Sequence, residues 1–246
     1  MNKKIPRIYI MNSLKINTYL VLPENEYHYI KNVLRMQEND LLEIFNNTNY
    51  VFLATIKNIK KKNITVFILK SVFKSVESNI DIHLGQIISK DEKMNFTIQK
   101  SIELGVKSIT PLFLNKIHAV NNYIYTEKKI IRWKKIAISA CQQCHRNIIP
   151  KIKEPIDLQS WCANFQKKET KIVFHPESLF NINQLQKSIQ EIYILVGSEQ
   201  GFSKNEIKKI NNYGFISISL GPRILRTETA SIAALSILQF QFGDVN

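Results

Sequence analysis

The sequence predicts an α/β protein in two parts: a small β-barrel-like module over residues 1–73, then a largely parallel sheet covered by helices on both faces over residues 74–246. Three observations carry this. Several short apolar runs separated by turn signals crowd into the amino-terminal part. Beyond residue 79, strand-like and helix-like segments alternate, the pattern of a parallel sheet. Two glycine loops, Gly197 to Gly201 and Gly221 to Arg223, each follow an apolar run, which puts them at strand carboxyl ends, where open α/β sheets hold ligands.

In the first part, Pro23 to Met36 reads as one short helix with a loop. Leu41 to Phe45 and Tyr50 to Ile56 flank the turn signal Asn46-Asn47-Thr48-Asn49 and read as a hairpin. Ile64 to Leu69 is a further strand, after the basic run Lys60-Lys61-Lys62. Short strands in such a set make a small barrel. The polar stretch from Lys74 to Asn79 marks the boundary.

In the second part, Ile80 to Leu84 alternates and continues to Ser89 as a strand, with His83 a packed or edge residue. Lys93 to Leu104 has helical spacing, stopped by Gly105. Val106 to Phe113 is a strand whose Pro111 suits an edge or a strand end. Ile130 to Cys141 is a helix with Trp133 and Ile136 on its buried side and Lys128, Lys129, Arg132, Lys134 and Lys135 near the other. Asp157 caps a helix running through Trp161 and Phe165. Lys171 to Phe174 is a strand entering a loop at His175, and Ile182 to Gln190 reads as helical. Then come a strand to Val196, a polar helix from Ser203 to Asn212, a strand from Phe215 to Leu220, and a helix within the uncharged stretch Thr229 to Gly243. That last helix is apolar nearly all round, so it is central or lies in a subunit interface, which suggests a homodimer.

Composition narrows the function classes. A hydrophobic fraction of 44% is that of a folded soluble protein. The start, MNKKIPRIY, has no long apolar run, so neither a signal peptide nor a membrane span is expected, and the location is expected to be cytoplasmic. A formal net charge of +14 draws the chain towards polyanions, although scattered lysines on a solvated surface would give the same figure. Arg7, Arg35 and Arg146 are the better RNA-contact candidates, because a guanidinium fork matches a phosphate in two-pronged fashion. Cys141, Cys144 and Cys162 read as reduced thiols. The string Cys141-Gln142-Gln143-Cys144-His145 has haem-attachment spacing but sits at a helix end in a chain without an export signal, so no cofactor and no metal is expected there.

The loop Gly197-Ser198-Glu199-Gln200-Gly201 is neither a Walker A loop nor a dinucleotide fingerprint. What remains is backbone free to approach a flat or small ligand, with Glu199 able to accept a hydrogen bond or a proton. Arg223, Arg226 and Glu228 form either a surface ion cluster or a clamp on an anion beside that ligand.

Leu195 to Gly201, followed by Leu220-Gly221-Pro222-Arg223-Ile224-Leu225-Arg226-Thr227-Glu228-Thr229-Ala230, closely resembles the RsmE family of 16S ribosomal RNA uridine N3-methyltransferases of the SPOUT superfamily. Lys93 to Gly105 and Ala140 to Arg146 are similar to two further family segments, and the resemblance covers essentially the whole chain. It implies a SPOUT methyltransferase domain with a carboxy-terminal trefoil knot, an amino-terminal PUA-like RNA-binding barrel, a homodimer, and small-subunit 16S rRNA as substrate. It also implies S-adenosylmethionine held mostly by backbone in the loops after Phe174, Val196 and Leu220. On this resemblance the cofactor-binding residues are Phe174, His175, Leu195, Gly197, Ser198, Glu199, Gly201, Leu220, Gly221, Leu225, Arg226 and Thr227. Arg226, Glu199 and Glu228 are the catalytic candidates, the carboxylates to take the N3 proton and the arginine to steady the uracil anion.

Two departures stand out. Gln200 replaces a glycine of the family's Gly-Pro-Glu-Gly-Gly and would be strained if the position needs φ > 0, and His145 replaces a glycine before Arg146. Two other readings stay open: an RNA-binding or ribosome-assembly protein without catalysis, and a SPOUT enzyme acting on transfer RNA.

Overall fold

A computed structural model of the chain describes residues 5–60, 62–114, 123–166, 168–185 and 189–245. It divides into two compact units, Met1–Glu77 with Cys141–Ile149, and Ser78–Ala140 with Pro150–Asn246. A contiguous division at residue 73 has no place for the segment Cys141–Ile149, which returns to the first unit.

In the first unit, β1 (Arg7–Tyr9), β2 (Tyr19–Val21), β3 (Leu41–Phe45), β4 (Tyr50–Lys60) and β5 (Asn63–Phe73) form one sheet in the order β1-β3-β4-β5-β2. The hairpin expected around Asn46–Asn49 is β3 with β4, from Leu41 opposite Thr55 to Phe45 opposite Val51. Its turn uses Asn47 at φ 64°, a left-handed conformation that asparagine tolerates. Register shifts between Leu53 and Ala54 and between Ile56 and Asn58 bend the long β4–β5 ribbon. Alternation does the rest: Ile64, Val66 and Ile68 of β5 join Ile8, Leu42, Ile44 and Ile56 in a closed apolar core. The helix after Pro23 is short, α1 (Glu24–His28), and passes into a π turn, Tyr29–Val33, that buries Ile30.

In the second unit, β6 (Asp81–Ile87), β7 (Ser108–Phe113), β8 (Lys151–Ile152), β9 (Ile156–Asp157), β10 (Thr170–Phe174), β11 (Glu191–Val196) and β12 (Ile216–Ile218) make one sheet. Its order is β12-β10-β11-β6-β7-β8, with β9 also on β7, and every ladder is parallel. The described helices are α2 (Asp91–Glu103), α3 (Tyr123–Cys144), α4 (Leu158–Ala163), α5 (Lys204–Asn212) and α6 (Thr227–Phe242). Local capping chemistry sets several ends. The Asp157 carboxylate accepts from the Ser160 N–H, and Ser203 with Glu206 forms a reciprocal capping box on α5. No helix among the described residues is long and apolar enough to cross a membrane.

Two local expectations change. Pro111 does not mark an edge: it lies opposite Gln86 of the central β6. On its other side β7 pairs with β8 at Ser108 and Ile109 and with β9 at Leu112 and Phe113, so the proline falls in the gap between two short strands. Of the helix expected from Ile182 to Gln190, the described residues show one 3₁₀ turn, Ile182–Gln184, closed by Asn181 and Gln184; residues 186–188 lie outside the described set.

His83 is a packed residue. Its ring stacks on Tyr193 at 4.7 Å, with Nδ1 2.7 Å from Ser108 Oγ and Nε2 3.1 Å from Glu191 Oε1. Desolvation lowers its pKa from the ordinary value, outweighing the opposing pull of Glu191. A base whose pKa is lower folded than unfolded binds its proton first in the unfolded chain, so stability falls as pH drops through about 6.5. Urea midpoints between neutral and mildly acidic pH are therefore expected to fall more steeply for the native chain than for His83→Gln. Parallel slopes would contradict this.

Candidate functional site

The carboxyl ends of β10, β11 and β12 open onto a cavity of about 300 Å³. Three loops wall it: Phe174 to Glu177 after β10, Val196 to Phe202 after β11, and Leu220 to Leu225 after β12, with Thr227 and Ala230 of α6 completing it. Adjacent parallel strands deliver all three loops to one end of the sheet, beside the point where β6 sends the chain to β7 on one flank and receives β11 on the other.

Of the residues singled out in sequence, Phe174, His175, Gly197, Ser198, Glu199, Gly201, Leu220, Gly221, Leu225 and Thr227 line the cavity. Leu195 does not. It is fully buried in an apolar cluster with Val173, Trp161 and Phe215, and strand alternation puts it on the sheet face opposite Val196, which does line the cavity. Arg226 is the exposed amino-terminal cap residue of α6 and does not line the cavity either; Arg223 does. Glu228 lies in the first turn of α6, outside the lining, with Oε2 buried and without a hydrogen-bond partner.

The β11 loop is a tight turn closed by the Gly201 N–H donating to Ser198 O at 3.0 Å. A Cβ on Gly197 would lie 3.2 Å from the Gly201 backbone and from the Phe202 ring, so this glycine is set by close approach. Gly201 is set by conformation, at φ 69°. Gln200 is not among the residues with positive φ, which corrects the expectation of strain there: the left-handed position of the turn falls on the retained glycine. The strain sits at the other substitution, His145, at φ 66°.

Glu199 is latched to the start of α2. Its Oε1 accepts from the Lys90 N–H at 3.1 Å and lies 3.5 Å from Lys93 Nζ. Desolvation pushes its pKa up, but the backbone hydrogen bonds from Glu199 and Lys90, with the Lys93 charge, leave it below the ordinary value. A carboxylate so held is a fixed negative charge and a poor proton acceptor.

Beneath the loops lies a buried polar network that sequence reading missed. Gln86, fully buried in β6, places Nε2 3.2 Å from Gly197 O, 3.0 Å from Thr227 Oγ1 and 3.1 Å from Ile87 O. Its Oε1 accepts from Ser231 Oγ at 2.6 Å, and Thr227 Oγ1 donates to Gly197 O at 2.5 Å. The only signal in the sequence was a lone glutamine in an apolar strand.

The three arginines named for RNA divide. Arg35 is exposed, at φ 54°. Arg7 and Arg146 are 5% and 4% exposed, and each is committed inside the first unit. Arg7 Nε lies 3.2 Å from Glu43 Oε2, and Nη2 donates to Asn147 Oδ1 at 2.6 Å. Arg146 Nη2 pairs with Glu77 Oε2 at 2.5 Å. Both side chains are withdrawn from solvent and paired with protein carboxylates, although Arg7 Nη1 is buried without a hydrogen-bond partner. Cys141, buried, has its thiol pushed up to about 12 by desolvation.

A family model described as an RNA methyltransferase domain matches residues 76–239, and one described as an RNA methyltransferase PUA domain matches residues 22–69. The ribosomal RNA small subunit methyltransferase E of Buchnera aphidicola (subsp. Acyrthosiphon pisum) is 55% identical over 243 residues, 99% of this chain and 96% of that protein. A putative methyltransferase of Legionella pneumophila, solved in complex with bound cofactor SAM, superposes with a TM-score of 0.93 at 37% identity, covering 99% of this chain and 100% of that one. The ribosomal RNA small subunit methyltransferase E of Neisseria gonorrhoeae, bound to S-adenosyl methionine, gives 0.90 at 30% identity, covering 98% and 100%. With family models matching residues of both units and 55% identical relatives covering 99% of the chain or more, the chain belongs to the ribosomal RNA small subunit methyltransferase E family, RNA methyltransferases with a PUA domain.

Proposed function

We propose that this chain transfers a methyl group from S-adenosylmethionine to N3 of a uridine in 16S rRNA of the small ribosomal subunit, acting in the cytoplasm as a homodimer. The observation that carries the reading is the cavity walled by the loops after β10, β11 and β12. Its residues fit such a donor. The volume is that of a small-molecule site, the Phe174, Leu220 and Leu225 side chains offer apolar walls, and Gly201 and Gly221, both at positive φ, bring bare backbone to the lining. Bound there, the donor supplies an electrophilic methyl group and its own leaving group.

The chain's part is orientation and charge. Gly197, with its carbonyl fixed from below by Gln86 and Thr227, sets the β11 loop, and Glu199 braces that loop on α2. With Glu199 held as a fixed charge, Arg226 and Glu228 at the start of α6 are the pair left for the uracil. The guanidinium steadies the anion as N3 loses its proton, and Glu228, in the first turn of α6, is the carboxylate proposed to accept it. The carboxy-terminal segment is proposed to thread as a trefoil knot. In support, the chain leaves β11, forms β12 beyond β10, and comes back for α6 to pack on α2 and β11. The homodimer reading rests on α6, where Phe240 is 71% exposed although the helix is mostly apolar.

Methyl transfer from labelled donor to small subunits, free 16S rRNA and transfer RNA, followed by mapping of the modified base, tests the reaction. Label at N3 of one uridine in small subunits is expected. Transfer confined to transfer RNA, or donor binding without transfer to any RNA, would overturn it.

A further inference from the structure

The second unit carries a groove of about 380 Å³ between α2 and α3, unconnected with the residues of the methyl-donor cavity. Phe96, Asn95 and Gln99 of α2 line it, facing Ile136 and Ser139 of α3. Phe96 is 44% exposed, in a helix whose Met94, Ile98 and Ile102 are fully buried, and the Lys100 ammonium lies 5.9 Å from its ring centroid, a further cation beside an aromatic ring that is part open to solvent. Asn95 Oδ1 itself is buried and has no hydrogen-bond partner among the described residues. Along α3 beside it, Lys128, Arg132 and Lys135 are exposed at i, i+4 and i+7, on the side opposite buried Trp133 and Ala137. None of the three has an ion-pair partner among the described residues, whereas Lys129 pairs with Asp91 and Lys134 with Glu154. Like charges at that spacing cost a helix a few tenths of a kcal/mol per pair, so the ridge is not there for the helix's own stability.

From this arrangement we infer that the α2–α3 groove binds single-stranded RNA: a base stacks on Phe96, while the flanking phosphates lie on Lys128, Arg132 and Lys135. The ridge spans about 10 Å at 1.5 Å per residue, room for more than one phosphate. A carboxylate at the groove, Glu92, repels phosphate and so favours a base over the backbone inside it. Stacking on an aromatic face, with cations tracking the backbone, is the general mode of single-strand binding. The inference names RNA because the proposed reaction acts on RNA, and it adds a contact surface distant in sequence from the loops that carry the chemistry.

Fluorescence anisotropy of a fluorescein-labelled single-stranded RNA of mixed sequence, titrated with the full chain across a salt series and without methyl donor, tests it. Lys128→Ala/Arg132→Ala/Lys135→Ala is expected to flatten the slope of log K against log salt by about 2, the value for three single-strand phosphate contacts. At fixed salt Phe96→Ala is expected to weaken binding about tenfold, with Phe96→Tyr restoring it. All these side chains are exposed, so melting temperatures should stay close to the native value. An unchanged slope in the triple variant, or native affinity in Phe96→Ala, overturns the site. A native chain that binds RNA through these side chains yet transfers no methyl group supports the site and counts only against the proposed reaction.

Discussion

Replacing Gln86 by leucine is expected to destabilise the chain by about 2 kcal/mol and to weaken S-adenosylmethionine binding at least tenfold. The stability cost follows from what the glutamine serves. Its amide is fully buried and meets Gly197 O, Thr227 Oγ1, Ile87 O and Ser231 Oγ. Leucine fills similar space and leaves those groups short of partners at about 1–3 kcal/mol for each one fully orphaned. The loss stays at the low end because two fallbacks survive. Ser231 Oγ can bond Thr227 O at 3.1 Å, and Thr227 Oγ1 still donates to Gly197 O.

The binding cost has a separate origin. Gly197 packs so closely that a Cβ on it would lie 3.2 Å from the Gly201 backbone, so a small shift of its carbonyl moves the wall. Adding Thr227→Val removes the last donor to Gly197 O, and the double variant should lose more than the two singles combined. Calorimetry reads the affinity and urea unfolding the stability. Leucine variants that lose stability but keep native donor affinity would show the network to be scaffolding alone.

The parts of the fold that sequence made legible are those that local chemistry decides. The Asn46–Asn49 turn, the Asp157 and Ser203 caps, and the glycine loops after β11 and β12 each follow from residues a few positions apart. The cavity lining was legible for the same reason, since motif and loop coincide. What escaped was decided at long range. Gln86 acquires its role from Gly197 and Thr227, and Arg7 from Asn147, partners more than a hundred residues away. Composition cannot tell a buried arginine from an exposed one, because the fork that suits phosphate suits a carboxylate equally. Gln200 and His145 show the limit within a motif: both replace glycines, yet only the backbone at His145 takes up the left-handed conformation.

Arg7 gives the sharpest separation between the two views. As an RNA contact its loss would leave stability alone and reduce the salt dependence of RNA binding by the share of one phosphate. As an internal residue it should do the reverse. Its side chain is 3% exposed against 25% for Glu43, and its ring-facing side lies 4.8 Å from the Phe45 centroid. Burial lowers the guanidinium pKa and Glu43 opposes that shift, but arginine stays charged.

The deeper partner is the one that must not be left alone. Glu43→Leu strands the buried cation and is expected to cost about 3–5 kcal/mol. Arg7→Met leaves the half-open carboxylate able to reach water and is expected to cost less, about 2–3 kcal/mol, part of it from the unpaired Asn147 Oδ1. The double variant Arg7→Met/Glu43→Leu should recover much of the larger loss, because replacing both charges removes the desolvation penalty with the attraction. Arg7→Met with native stability and a flatter salt dependence of RNA binding would return Arg7 to the RNA surface. Retained salt dependence with lowered stability is the expected result, because a guanidinium buried against Glu43 and Asn147 does not reach an RNA phosphate to release its counterions.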